Sequence, residues 1–327
     1  MNLKTFEMDG LRGAENPAIN MQLGMDPLIT ELVLGTPQAR VFPGQLILKP
    51  IRVPNLTFMY QTWGTEHLRH YNTERAMRAP INHADFAPST ATGSLKRFSF
   101  GHLRDQDEFN NAQSVLGLRE KSAGIARRWV DMDIEQRCAT ILTTAGNYSG
   151  NVNAKAGGTE WNASGGTDMK TDIDAALTIL SAATGLAPED FTIFMPMLTL
   201  NAAKADPVFL AARTYTSGAS APGIDAIRDY LGVKRVWTAN PVQVSDAGVV
   251  SQLYGDICLI YFEGDFNAYD TEYGDQVFGA SFKWNKGVAS EPFYIPERTS
   301  WFFPWTDYWN GQILNASYGY LITNCAA

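Results

Sequence analysis

Stretches with a clear hydrophobic period alternate along the chain with stretches that have none. From Arg119 to Leu142, the residues Ala126, Val130, Ile134, Cys138 and Ile141 return every three or four positions. That spacing gives a helix one apolar stripe. Asp133 lies four before Arg137, the favourable order for an ion pair on its surface. At about 1.5 Å per residue the helix would be about 36 Å long. The glycine- and asparagine-rich run GNYSGNVNAKAGG (Gly146–Gly158) then breaks the pattern. A second helix is expected over Thr171–Thr184, with Ile173, Leu177, Leu180 and Thr184 as its buried stripe. Asp168 or Thr171 caps its start, Asp172 and Asp174 suit its first turn, and Gly185 closes it. Pro222–Leu231 reads as a third helix, with Gly232 just past its end. Strands are expected at Phe191–Met195, Val233–Thr238, Asp256–Phe262, Val277–Trp284 and Ala316–Thr323. The mixture is α+β rather than a strict alternation of strand and helix.

Two regions fall outside this pattern. Residues 1–42 are weakly periodic and read as an arm that docks through Leu23, Leu28, Ile29, Leu32, Val33 and Leu34. Residues 43–104 place strand-like pieces among Pro43, Pro50 and Pro54, and proline confines such strands to edges or projecting ribbons. A polar stretch containing HLRHYNTERAMRAP follows, and then the strand-like SLKRFSF. The long interval between these strands holds few core-grade residues. It predicts an extended loop or hairpin reaching away from the body.

Composition sharpens this picture. Charged residues make up 18% of the 327, against roughly 25% in an average domain. Sparse charge suits a surface covered by partners. The net charge of −8 argues against a dedicated nucleic-acid binder. It is unevenly spread: Met1–Val130 has 15 Lys and Arg against 12 Asp and Glu, and Asp131–Ala327 has 11 against 22. A mildly basic part can therefore meet an acidic one, within a subunit or between neighbours. Cys138, Cys258 and Cys325 lack metal spacing, and their odd number gives no disulfide framework, which fits a reducing cytoplasm. The sequence MNLKTFEMDG has no apolar signal core, and no apolar run approaches the roughly 20 residues of a membrane span.

Candidate chemistry is thin. The Walker, dinucleotide-binding and G-x-S-x-G patterns are absent. GASAPG (Gly218–Gly223) has one residue too many for a nucleophile elbow. His67 and His70 are three apart, but zinc needs three or four ligands, and only His83 and His102 remain. Asp265, Asp270, Glu272 and Asp275 form an acidic loop, yet the twelfth position counted from Asp265 is Gln276, not the glutamate of a calcium loop. Phe293, Tyr294, Trp301, Phe302, Phe303, Trp305, Tyr308 and Trp309 suit a core or subunit interface. A sugar-stacking platform and a membrane-interface belt are the alternatives. The expectation is no catalytic residue, no cofactor site and no metal site.

The order of the parts resembles a tailed-bacteriophage major capsid protein of the Hong Kong 97-type fold, which encapsulin shells share. The nearest phrase is WNASGGTDMKTDIDAALTILSAATGLAPEDFTIFMPMLTLNAAKADPVF. In it Trp161, Gly185, Pro188, the strand Phe191–Met195 and the pair Asp206-Pro207 fill the family's places. DICLIYFEGDF and ASYGYLITNC resemble later strands of that fold. The resemblance implies an N-terminal arm over residues 1–42 and an extended loop with flanking strands over 43–104. A peripheral domain follows over 105–157 and 263–312, with a spine helix at 119–142. An axial domain takes 158–262 and 313–327. It implies a structural, non-enzymatic subunit that assembles as hexamers and pentamers into an icosahedral shell around double-stranded DNA. That DNA would be met by non-specific contact only, without a membrane. Assembly would take place in the host bacterial cytoplasm, ending in the virion, with scaffolding, portal and decoration proteins as further partners. No long charged segment precedes the arm, so no internal scaffolding segment is expected. Lys49 and Lys96 lie in or beside the loop, where some relatives cross-link a lysine, but nothing marks either as reactive. Arg69, Arg75, Arg78, Lys96 and Arg97 are placed to meet acidic patches on a neighbour. Deleting residues 54–94 should leave a soluble chain that cannot close a shell. The alternatives are an encapsulin-type compartment and, from another class, a soluble α/β enzyme or a carbohydrate-binding module using Trp301, Trp305 and Trp309.

Overall fold

A computed structural model describes residues 42–62, 70–75, 77, 80–83, 89–111, 115–163, 166–216, 223–244, 247–264, 277–284 and 288–326. The chain divides into two compact units. The described part of one comes from Lys96–Met132 and Trp284–Tyr308. The other comes from the segment ending at Leu95, from Asp133–Lys283 and from Trp309 onward.

The second unit begins with helix α1 (Pro43–Ile47) and strand β1 (Lys49–Val53). Pro43, expected among strand-like pieces, is instead the first helical residue, where its missing N–H costs nothing. Pro50 does sit in an edge strand, because β1 ends its sheet beside β11 (Gly279–Trp284). Strands β2 (Thr57–Thr62) and β3 (Ser89–Ser94) form an antiparallel hairpin of their own, registered Thr57 to Ser94 through Thr62 to Ser89. Its base is anchored: Phe58 lies 4.2 Å from Phe282, ring centre to ring centre, in a small core with Ile51, Val53 and Ala280.

The main core of this unit surrounds a five-stranded sheet ordered β5 (Val152–Ala154), β15 (Gly319–Thr323), β10 (Cys258–Phe262), β6 (Phe191–Phe194) and β7 (Arg235–Trp237). All four residues of β6 are buried, and so are the first four of β10 and of β15. Burial on both faces explains why these strands read as unbroken apolar runs instead of alternating. Helices α4 (Met169–Thr184) and α7 (Ile224–Leu231) contribute Ile173, Ala176, Leu177, Leu180, Ile227 and Leu231 to that core. Helix α4 starts and stops as its sequence requires. The Asp168 carboxylate accepts the Thr171 N–H at 3.1 Å, and Gly185 takes the left-handed conformation at φ 75°. Between β6 and α7 run α5 (Met197–Ala205) and α6 (Pro207–Thr216), separated by the extended residue Asp206.

In the first unit, β4 (Lys96–Asp105), β12 (Val288–Ala289) and β13 (Phe293–Ile295) pair with the first half of the long strand β14 (Ser300–Ile313). The short helix α2 (Gln106–Asn110) follows β4, capped by Asp105. Helix α3 (Val115–Thr143) is the long helix and runs four residues further back than its periodicity indicates. Its buried stripe is Ala126, Val130, Ile134 and Cys138, ending on Leu142 rather than Ile141. The last step is a full four residues, so Ile141 turns half outward.

Candidate assembly surfaces

The residues singled out for chemistry are scattered. His70 and His83 are exposed, and His67 lies outside the described residues. His102 stands on β4 with its ring 5.6 Å from that of Trp129. Burial, and secondarily the nearby Arg104 charge, push its imidazole below the usual range. Among the described residues no three His, Cys, Asp or Glu side chains converge as a metal-binding group. The acidic loop (Asp265, Asp270, Glu272 and Asp275) lies outside the described residues, as do positions 218–222 of GASAPG. Lys49 donates to the Gly264 carbonyl, whereas Lys96 is exposed. The three cysteines are free and buried, and burial raises all three thiols.

The aromatic cluster is mostly used inside the protein. Phe303, Trp305 and Trp309 are buried. The Trp309 indole N–H donates to Ser281 Oγ at 2.5 Å, and that of Trp301 to Gln106 Oε1 at 2.6 Å. Phe109 stacks on both Trp301 and Phe303. Among the described residues, Trp305 and Trp309 are therefore not part of an exposed row of rings. No helix among the described residues is long and apolar enough to cross a membrane.

Three buried carboxylates carry the positioning that sequence reading missed. Asp206 accepts the Met169 N–H through one oxygen at 2.6 Å. Its other oxygen accepts the N–H groups of Val208 and Phe209 at 2.8 and 3.2 Å. One side chain thus serves the first turns of both α4 and α6. The Asp-Pro pair was the available signal, with an N-cap followed by proline at the first helical position. Asp172 stands in the first turn of α4, as its sequence position indicates, and is buried. It pairs with buried Lys155 and accepts the Trp161 indole N–H at 2.8 Å. Lys155 and Asp172 are far apart in sequence and have no helical spacing to announce the pair. Glu135, fully buried on α3, accepts N–H groups from Gly44 and Gln45 and the Tyr254 hydroxyl.

Exposed apolar side chains lie on helices, among them Trp129, Met197, Leu198 and Val208, and on thin hairpins. Met59 is 72% exposed on the β2–β3 hairpin, beside exposed Leu56. Strands β8 (Val242–Val244) and β9 (Val250–Gln252) form a two-stranded sheet with Val242, Val244 and Val250 exposed. A lone hairpin is at best marginally stable in water. In the first unit Phe100 packs edge-on against Trp129 at 5.2 Å, and both are largely exposed, as are Phe293 and Tyr294. Exposed apolar surface of this kind suits burial against other protein.

No family model matches the chain. The fold is shared with a phage-related protein from Bordetella bronchiseptica RB50, with TM-score 0.72 and 19% identity over 92% of this chain and 97% of that one. It is shared also with the capsid of cyanophage P-SCSP1u, with TM-score 0.58 and 11% identity over 84% and 86%. The chain therefore has a mixed α+β capsid fold of the Hong Kong 97 type. In sequence it is similar to the major capsid protein of Burkholderia phage BcepMu, 21% identical over 302 residues that cover 91% of this chain and 96% of that protein.

Proposed function

We infer that this chain is a phage major capsid protein, a structural, non-enzymatic subunit that self-assembles into the icosahedral shell of the virion. The end-to-end sequence similarity to the BcepMu major capsid protein carries this conclusion, because it spans nearly all of both chains. The capsid fold and the apolar extensions support it. The subunits assemble as hexamers and pentamers around double-stranded DNA. The acidic balance of the chain tolerates that DNA without binding it tightly.

Within the shell, residues 1–42 act as an arm. The loop assigned to 43–104 projects from the end of β1, since α1 and β1 are built into their own unit. Residues 105–157 and 263–312 form the peripheral domain, and 158–262 and 313–327 the axial domain. Exposed Arg75, Lys96 and Arg97 favour acidic ground on a neighbour; Arg69 and Arg78 lie outside the described residues. Scaffolding, portal and decoration proteins complete the set of partners.

Sizing the purified chain by analytical ultracentrifugation tests the function. Closed shells of megadalton mass are expected. A stable monomer would overturn the reading. Replacing residues 63–88 by an Asn-Gly turn keeps the registered strands and their Phe58 anchor while removing the tip. That variant should stay soluble and folded but fail to close shells. Normal shells from it would reject the loop's role.

A further inference from the structure

Helix α3 buries one face and leaves the opposite one open. Lys121, Ile125, Arg128 and Trp129 recur at helical spacing on that outer side, and none of the four is buried. Trp129 is 44% exposed, and Phe100 of β4, 57% exposed, meets its ring edge-on at 5.2 Å. Two apolar rings thus stand beside two cations. Among the described residues neither Lys121 nor Arg128 makes an ion pair. Between these cations sits Gly124, where an added Cβ would meet nothing within 4 Å. Glycine inside a helix is destabilising, and no described neighbour requires it here. It leaves room for a backbone to pass close to the helix.

One segment of the chain has the matching chemistry. Residues 23–34, LGMDPLITELVL, are mostly apolar, hold the acids Asp26 and Glu31, and contain no lysine or arginine. The segment is also tethered within reach. The chain enters the described fold at Phe42, and Glu135 of α3 accepts the Gly44 N–H at 2.7 Å. Along the same helix Trp129 and Lys121 precede Glu135 by about 9 and about 21 Å, at about 1.5 Å per residue. Leu34 precedes Phe42 by eight residues, which span up to about 27 Å when extended.

We propose that residues 23–34 dock on the outer face of α3 of the same chain, their apolar side chains over Trp129 and Phe100 and their acids against Lys121 and Arg128. Charge selects this occupant as well as the tether does. A second copy presenting the same face of α3 would set cation against cation. The acidic, apolar segment removes both rings from water and gives both cations a partner. Gly124 lets it lie close to the helix. The proposal rests on the reading of residues 1–42 as an arm; shell formation is tested separately, by the sizing experiment.

Hydroxyl-radical footprinting of the full-length protein, read by mass spectrometry, tests the docking. Combining Leu28→Ser, Leu32→Ser and Val33→Ser should raise the oxidation of Trp129 and Phe100 several-fold. Exposed Met59 and buried Trp161 should stay as in the wild type. Unchanged Trp129 and Phe100 overturn the proposal. Photocross-linking needs no change in the arm, and so decides the matter even where the triple variant fails to fold. With p-benzoylphenylalanine in place of exposed Lys121, irradiation should join that position to residues 23–34 in a product of monomer mobility. A product of twice that mass, a cross-linked peptide from elsewhere in the chain, or no cross-link overturns it.

Discussion

At the residue scale, single buried side chains fix where elements begin. Asp206 is the clearest case, because three backbone N–H groups at two helix starts depend on one carboxylate. Asp206→Ala should destabilise the protein by about 3 kcal/mol, the cost of a lost cap together with buried donors left unpaired. Asp206→Asn keeps one acceptor oxygen and should cost less. Urea unfolding monitored by tryptophan fluorescence measures both, and equal losses would show that the second oxygen does nothing. How much of this was legible depended on locality. The Asp168 cap and the Gly185 stop lie beside the helix they bound, so sequence reading found them. Asp206 serves Met169 across 37 positions, and Glu135 serves Gly44 across 91. No local spacing announces contacts of that reach.

At the element scale, the sheets bring glycine under aromatic rings. Gly93 of β3 lies opposite Phe58 in the hairpin register, and a Cβ on it would meet that ring. Gly101 of β4 lies under the ring of Phe302, which itself sits 5.2 Å from Phe293. Ring and glycine fit together because the missing side chain leaves room for the aromatic face. Gly101→Ala should therefore cost about 1 kcal/mol by overpacking, against the usual small gain from removing a strand glycine. In a Phe302→Ala background the same substitution should become neutral or stabilising. A double-mutant cycle on thermal or urea unfolding reads the change of sign. If Gly101→Ala stabilises both backgrounds equally, the ring is not what requires the glycine. Strands β6, β7, β10 and β15 of the five-stranded sheet were legible from apolar runs, and helices α3 and α4 from their stripes, whereas β5 was not, because it lies in the glycine- and asparagine-rich run read as a loop. Helix α1 was not: a five-residue element started by a proline has too few positions to show a period, and the prolines nearby suggest strand edges.

At the scale of the whole molecule, buried polar side chains hold distant elements to one another. Buried Asp206 and Glu135 serve backbone N–H groups, buried Asp172 serves Lys155 and the Trp161 indole, and exposed apolar side chains lie on helices as well as hairpins. The aromatic segment Phe293–Trp309 read in sequence as a core or a subunit interface, without a choice between the two. The fold separates buried Trp305 and Trp309 on β14 from exposed Phe293 and Tyr294 on the short strand β13. The β2–β3 hairpin lies in the region that the sequence marks as short of core residues. Its anchoring through Phe58 onto Phe282 was not, since the two rings are distant in sequence and meet through separate strands. The central claim, that many copies of this chain close into an icosahedral shell, is tested most directly by cryo-electron microscopy of the purified full-length protein. The account predicts hollow icosahedral particles in which this fold repeats around fivefold and sixfold positions. Dispersed monomers, or open aggregates without icosahedral symmetry, would contradict it.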